Sequence, residues 1–173
     1  MKEVVLFIAT SLDGYIADED GGVDWLFTDG DYGYNEFIDS VDTLLIGRKT
    51  YDQILTFGSW PYKGEKCYVF TRSKTTKPDN NVLFSKEPVK LTDKLLEGGG
   101  KNIWLVGDSD IISLLFNNAL IHRIVLSVHP IVLGKGIPLF KNINKITELQ
   151  LVKSHTYENG LVQLQYSLLP KQK

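Results

Sequence analysis

Strand-length apolar runs recur along this chain, and the early ones are continuous where a half-exposed strand would alternate. They are Val4–Ile8, Thr43–Ile46, Cys67–Thr71, Val82–Phe84 and Ile103–Val106. A strand can be apolar at successive positions when both its faces are covered, as in a parallel sheet between layers of helix. Segments of helical character lie between the runs: Tyr34–Ser40, Lys49–Leu55, a stripe at Leu91, Leu95 and Leu96, and Ser109–Asn117. In the last of these a capping residue precedes Ile112, Leu115 and Phe116 at helical spacing. The C-terminal third changes character. Ile124, Leu126 and Val128 alternate, Leu149–Lys153 forms another run, and Val162, Leu164, Tyr166 and Leu168 alternate with Gln163, Gln165 and Ser167. Asn159-Gly160 between the last two runs is a strong hairpin signal. The pattern predicts an α/β fold: a mixed, mostly parallel sheet flanked by helices, ending in an antiparallel hairpin.

A chain of 173 residues fits one domain, spanning 1–173, that buries roughly 70% of its unfolded surface. With 43% hydrophobic residues, 23% charged residues and a net charge of −2, the composition is that of a soluble globular protein. Val4–Ala9 is too short to span a bilayer and lacks the flanks of a signal peptide, so no membrane partner is expected. The single cysteine, Cys67, excludes an internal disulfide and favours a cytoplasmic location. The charge balance gives no reason to expect nucleic acid as the main partner.

Several motifs are absent. No G-x-G-x-x-G follows a strand, and neither a P-loop nor a G-x-S-x-G elbow occurs. Gly98-Gly99-Gly100 precedes a strand and reads as a helix stop. His122 and His129 are an odd number of positions apart, which puts them on opposite faces of an uninterrupted strand and argues against a shared metal. Neither Asp18, Asp20 and Asp24 nor Asp29 and Asp31 complete a calcium loop. No metal site is expected.

The chemistry concentrates at strand ends. Thr43–Ile46 runs into Gly47, Arg48, Lys49 and Thr50, a strand-to-helix junction where backbone N–H groups and side-chain donors suit a phosphate. Cys67–Thr71 runs into Arg72 and Ser73, and a guanidinium there can hold a phosphate bidentately. Val106 and Gly107 end a third run, followed by Asp108 and Ser109, either of which can cap the next helix. Ligands of open α/β sheets collect beyond such carboxyl ends. From Asp13 through Asp42 there are ten acidic residues and no Lys or Arg. This stretch is either a solvated acidic surface or, given its glycines and Trp25, Phe27 and Tyr32, a movable lid over a pocket. A carboxylate in it, Asp31 or Asp13, is a candidate to orient or protonate a nitrogen heterocycle. Both also have structural readings, Asp31 as a helix cap and Asp13 as part of a turn.

These residues resemble one superfamily. Ala9-Thr10-Ser11-Leu12-Asp13-Gly14-Tyr15-Ile16-Ala17 resembles an S-L-D-G-x-I-A opening, and Gly47-Arg48-Lys49-Thr50-Tyr51 a G-R-x-T-Y motif. Val106-Gly107 and the run Pro130 to Phe140 resemble two later signatures of the same group. The group is the dihydrofolate-reductase-like superfamily, and within it the RibD C-terminal reductase family of riboflavin biosynthesis. The resemblance implies NADPH as hydride donor, a small-molecule substrate and a homodimer, for which the apolar run Ile124–Val132 is a candidate strand. Carried over by position, Ala9 and Ile16 line the nicotinamide pocket, and Gly47, Arg48, Lys49 and Thr50 hold cofactor phosphates. Thr71, Arg72 and Ser73 meet the adenosine 2′-phosphate, and Val106 and Gly107 the pyrophosphate; Trp25, an aromatic of the acidic stretch, is the candidate substrate contact. Asp31 lies near the position of a substrate carboxylate, with Asp13 as competitor. The implied activity is that of a 5-amino-6-(5-phosphoribosylamino)uracil reductase. A pteridine or dihydrofolate-type reductase and a non-catalytic ligand-binding dimer are the alternatives. Two departures stand out: Asp108 replaces the second glycine of a Gly-Gly pair, and no H-x-E or P-C-x-x-C zinc-deaminase signature is present.

Overall fold

Val4, Val5 and Leu6 are almost completely buried because β1 (Val4–Thr10) runs through the interior of an eight-stranded sheet. The computed structural model describes residues 1–73 and 79–168. After β1 come β2 (Tyr15–Ala17), α1 (Tyr34–Asp39), β3 (Val41–Gly47), α2 (Arg48–Ile54) with a 3-10 turn at Leu55–Phe57, β4 (Lys66–Phe70) and β5 (Val82–Ser85). Then follow α3 (Pro88–Glu97), β6 (Asn102–Gly107), α4 (Ser109–Asn117), β7 (Arg123–Val128), β8 (Ile137–Pro138), β9 (Leu149–Thr156) and β10 (Val162–Leu168).

The sheet order is β5-β4-β3-β6-β1-β7-β10-β9. Strands β5 to β7 in that order are parallel, and β10 pairs antiparallel with both β7 and β9, so β10 alone opposes the rest. This is the predicted fold class, with the hairpin turn at Asn159-Gly160. The continuous apolar runs are explained by two cores. Leu45, Ile103 and Leu105 pack with Ile112 and Leu115 of α4, while Leu44, Ile46 and Trp104 pack on the other face with Tyr51 and Ile54 of α2. Adjacent residues of one strand thus enter different layers.

Two readings of the sequence change, and one polar side chain is buried. Strand β5 is an edge of the sheet, and Leu83 on it is 52% exposed, so its apolar run does not mean two covered faces. Strand β7 stops at Val128 and lies between β1 and β10, so Ile124–Val132 is not one long strand and offers no free edge. The exposed strand is β9. Finally, Gln163 is buried and its amide donates to Ser127 Oγ and the Tyr32 carbonyl, which satisfies it inside the sheet layer.

Candidate active site

The parallel strands β1, β3, β4 and β6 deliver their carboxyl ends to one side of the sheet, where a two-lobed groove lies. One lobe, of about 600 Å³, is walled by Ala9, Ile16, Thr50 and Val106, with Val23 and Leu26 from the acidic stretch. The other, of about 780 Å³, is walled by Arg48, Thr71, Arg72 and Ser73, with Lys86 and Leu114 beyond them. Lys49, Asp108 and Asp110 border both lobes. Gly47 and Gly107 are buried immediately beneath them. Of the residues named from the strand ends, Ala9, Ile16, Arg48, Lys49, Thr50, Thr71, Arg72, Ser73 and Val106 line one lobe or the other, while Gly47 and Gly107 line neither.

Asp108 decides the electrostatics of the junction. Its Oδ1 accepts hydrogen bonds from the Asp110 and Ile111 backbone N–H groups and caps α4. Its Oδ2 accepts from the Lys49 backbone N–H at 3.3 Å, in the first turn of α2. A side chain on Gly47 would collide with this carboxylate, and Gly107, at φ +132°, holds a backbone conformation that only glycine adopts readily. Lys49 and Lys141 both pair with Asp110, and the Lys141 contact comes first in holding the Asp110 carboxyl below its ordinary value. Arg48 Nε donates to both oxygens of Asp52, at 2.8 and 2.9 Å. Tyr51 closes the back of α2. Burial, followed by its hydrogen bond to Asp79, pushes the phenol up to about 12.

The two candidate acids lie elsewhere. Asp31 is exposed, and its carboxylate accepts from the Gly33 and Asn35 N–H groups at the start of α1. Asp13 accepts from Ser11 Oγ and from the Leu133 and Gly134 N–H groups, tying the first turn to the loop after β7. The Ser11 hydrogen bond leads in lowering its carboxyl below the usual value. Neither residue lines either lobe.

Trp25 does not line the lobes either. Its ring stands edge-on to His129, with centroids 5.3 Å apart, and its Nε1 is buried with no hydrogen-bond partner among the described residues. The acidic stretch is tethered at both ends of its groove-facing part. Gln53 of α2 donates to the Gly21 carbonyl, and the Phe27 N–H donates to His129 Nε2.

Sequence reasoning missed Gln53, Asp110, Lys141 and His129. Gln53 lies three positions beyond Thr50 on α2, a spacing that puts both on one helix face. Lys141 directly follows the last recognised signature, which ends at Phe140. His129 carried no local sign of its role. Among the described residues no cluster of His, Cys, Asp and Glu is arranged to hold a metal, and no helix is long and apolar enough to cross a membrane.

Comparison with known proteins adds the following. The family model for the RibD C-terminal domain matches residues 2–163. The protein YwjB of Bacillus subtilis (strain 168) is 38% identical over 170 residues, covering 95% of this chain and 97% of YwjB. A Shewanella sp. PV-4 protein assigned to riboflavin biosynthesis superposes with a TM-score of 0.85 at 30% identity, covering 97% of this chain and 99% of that one. Dihydrofolate reductase from Enterococcus faecalis, solved with NADP(H), gives a TM-score of 0.73 at 15% identity, with 97% of each chain covered. At that identity the likeness is one of fold.

Proposed function

The chain belongs to the RibD C-terminal domain family, and from that premise we propose that it is an NADPH-dependent reductase of a small nitrogen heterocycle. The observation that carries the reading is the groove itself: a lobe with Ala9, Ile16, Val23 and Leu26 on its walls and a lobe with Arg48, Arg72 and Lys86, meeting at Lys49, Asp108 and Asp110. A dinucleotide phosphate needs such a division, with dry walls for one ring and guanidinium groups for the far phosphate. Bound there, NADPH supplies a hydride.

The rest is the work of this chain's residues. Ala9, Ile16 and Val106 exclude water from the ring-binding lobe. Arg72 and Arg48 hold the phosphate that distinguishes NADPH from NADH, with Thr71 and Ser73 beside them. Lys49 and Lys141 neutralise the Asp110 carboxylate and leave positive charge for a pyrophosphate. Asp108 caps α4 with one oxygen and meets the Lys49 N–H with the other, so its charge stays at the junction. Asp31 and Asp13, whose oxygens are engaged by backbone N–H groups, act in this reading by shaping the loops around the substrate, and water delivers the proton.

The substrate to which membership of the family points is 5-amino-6-(5-phosphoribosylamino)uracil. One observation favours a pteridine-type ring instead. Glu19 and Asp20 border the lobe walled by Ala9 and Ile16, a poor setting for a substrate phosphate. NADPH oxidation with each compound separates the two.

We further read the enzyme as a cytoplasmic homodimer. Leu149, Leu151 and Val152 on the open edge strand β9 are 36%, 52% and 62% exposed, and an unpaired apolar edge invites a second copy.

Thermal unfolding tests the cofactor assignment. At a hundredfold excess over its dissociation constant a ligand adds about 2.7 kcal/mol, a rise of roughly 5–10 °C for this chain length. NADPH is expected to give that rise and NADH a much smaller one. No rise with either compound overturns the proposal.

A further inference from the structure

His129 is unused by the mechanism above, yet it is 3% exposed and touches Trp25 and Phe27, in the loop whose Val23 and Leu26 line the groove. Its backbone is fixed first. The His129 N–H donates to the Thr10 carbonyl at the end of β1, and its carbonyl accepts from Ile131. The imidazole then reaches across 102 residues of sequence, where Nε2 accepts the Phe27 N–H at 3.2 Å. Nδ1 lies 3.3 Å from the Ser127 carbonyl. Only one form of the ring satisfies both contacts: the neutral tautomer with its proton on Nδ1. The rings of Trp25 and Phe27 pack against the imidazole at 5.3 and 4.9 Å.

The segment so held alternates in its use. Trp25 and Phe27 face the histidine, while Val23 and Leu26 line the lobe walled by Ala9 and Ile16. The place of the imidazole therefore sets the place of the wall. An imidazolium would present an N–H at Nε2 to the Phe27 N–H, two donors face to face, and its charge would lie among aromatic edges and carbonyls with no anion to balance it.

We propose that His129 is the positioning residue of the wall that Val23 and Leu26 give the groove, and that neutral imidazole holds the 23–27 segment in place while protonation releases it. The surroundings support this direction. Burial is the first cause of a lowered imidazole pKa, the Ser127 and Thr10 backbone groups oppose it, and no charged side chain contributes. Of the nearby carboxylates, Asp24 is exposed, Asp29 is engaged with Tyr32 and Asn159, and Asp13 with Leu133 and Gly134. The inference goes beyond the cofactor reading, because it needs no ligand.

The test is an NMR titration of the whole chain without ligand, following the His129 ring and the exchange of the Phe27 amide together. The chain's three histidines make the ring signals assignable. The expected result is that Phe27 protection, corrected for intrinsic exchange, falls at least about tenfold along the His129 protonation curve. His129→Gln keeps an acceptor that does not titrate, so its Phe27 protection should be flat over the same range. Three results overturn the proposal: Phe27 protection that persists once His129 is protonated, a His129 that stays neutral until the whole chain unfolds, or a Gln variant that loses protection with the wild-type profile. Should the variant fail to fold, the wild-type titration decides alone.

Discussion

A Cβ on Gly47 would lie 2.5 Å from Asp108 Oδ2 and 2.6 Å from the Asp108 backbone nitrogen. The end of β3 and the start of α4 thus touch at a point where one has no side chain and the other a carboxylate. That contact joins the two lobes of the groove, and most of what can be tested about the site passes through it.

Gly47→Ala places a methyl group against backbone as well as carboxylate, so a rotamer change cannot relieve it. The variant is expected to lose about 1–3 kcal/mol of stability. Urea unfolding measures this, and a midpoint equal to wild type would mean that the junction yields.

Asp108 has two separable jobs, capping and charge. Asp108→Ala removes the cap of α4 and should cost about 1 kcal/mol in denaturant unfolding. Asp108→Asn keeps a capping oxygen and removes the negative charge beside the pyrophosphate position. Calorimetric titration should then show NADPH binding severalfold tighter than wild type, and binding that weakens would refute the repulsion argument.

Arg72→Ala and Arg48→Ala separate the cofactors. A lost charge-assisted hydrogen bond is worth about 1.5–3 kcal/mol, so NADPH affinity should fall roughly 10- to 100-fold with NADH affinity unchanged. Loss of Arg48 should be the more severe, because it also leaves Asp52 unbalanced in the same lobe. If both variants keep the wild-type preference for NADPH, the far phosphate is held elsewhere.

Stability should decline on mild acidification. Burial lowers the pKa of His122 and His129 below the ordinary value of 6.5, so the unfolded chain takes up those protons first. Their contribution is complete above about pH 6.5 and is lost as pH falls below it. A second loss follows below about pH 4, as Asp42, Asp79 and Asp110, whose folded pKa values are depressed, become protonated. Chemical denaturation at several pH values should show a plateau near neutrality and a decline before the carboxylates titrate. A plateau extending to about pH 5 would contradict the first step.

The strands were legible because their signal is local. Lys49–Leu55 as a helix and Thr43–Ile46 as a strand fall within two residues of the bounds of α2 and β3, since an apolar run and a glycine stop are written in adjacent positions. Strands β2 and β8 were not legible. Each is two or three residues long, too short for any periodicity, and they exist only by pairing with each other across the fold. The edge position of β5 was hidden for a related reason: Val82–Phe84 reads the same whether or not a neighbour covers Leu83.

By itself, then, the sequence determined the class of sheet, the order of its elements and the three strand ends around which a ligand groove forms. Periodicity, capping and turn chemistry act over a few residues, and the residues carry that information directly. The tertiary structure alone decided how the polar groups are used: Asp13 against Gly134, Asp108 against Lys49, His129 against Phe27. Each of those pairs is at least 59 residues apart along the chain. A carboxylate or an imidazole has the same hydrogen-bonding capacity wherever it stands in a sequence, and only the folded neighbourhood determines whether a backbone amide or a ligand meets it first.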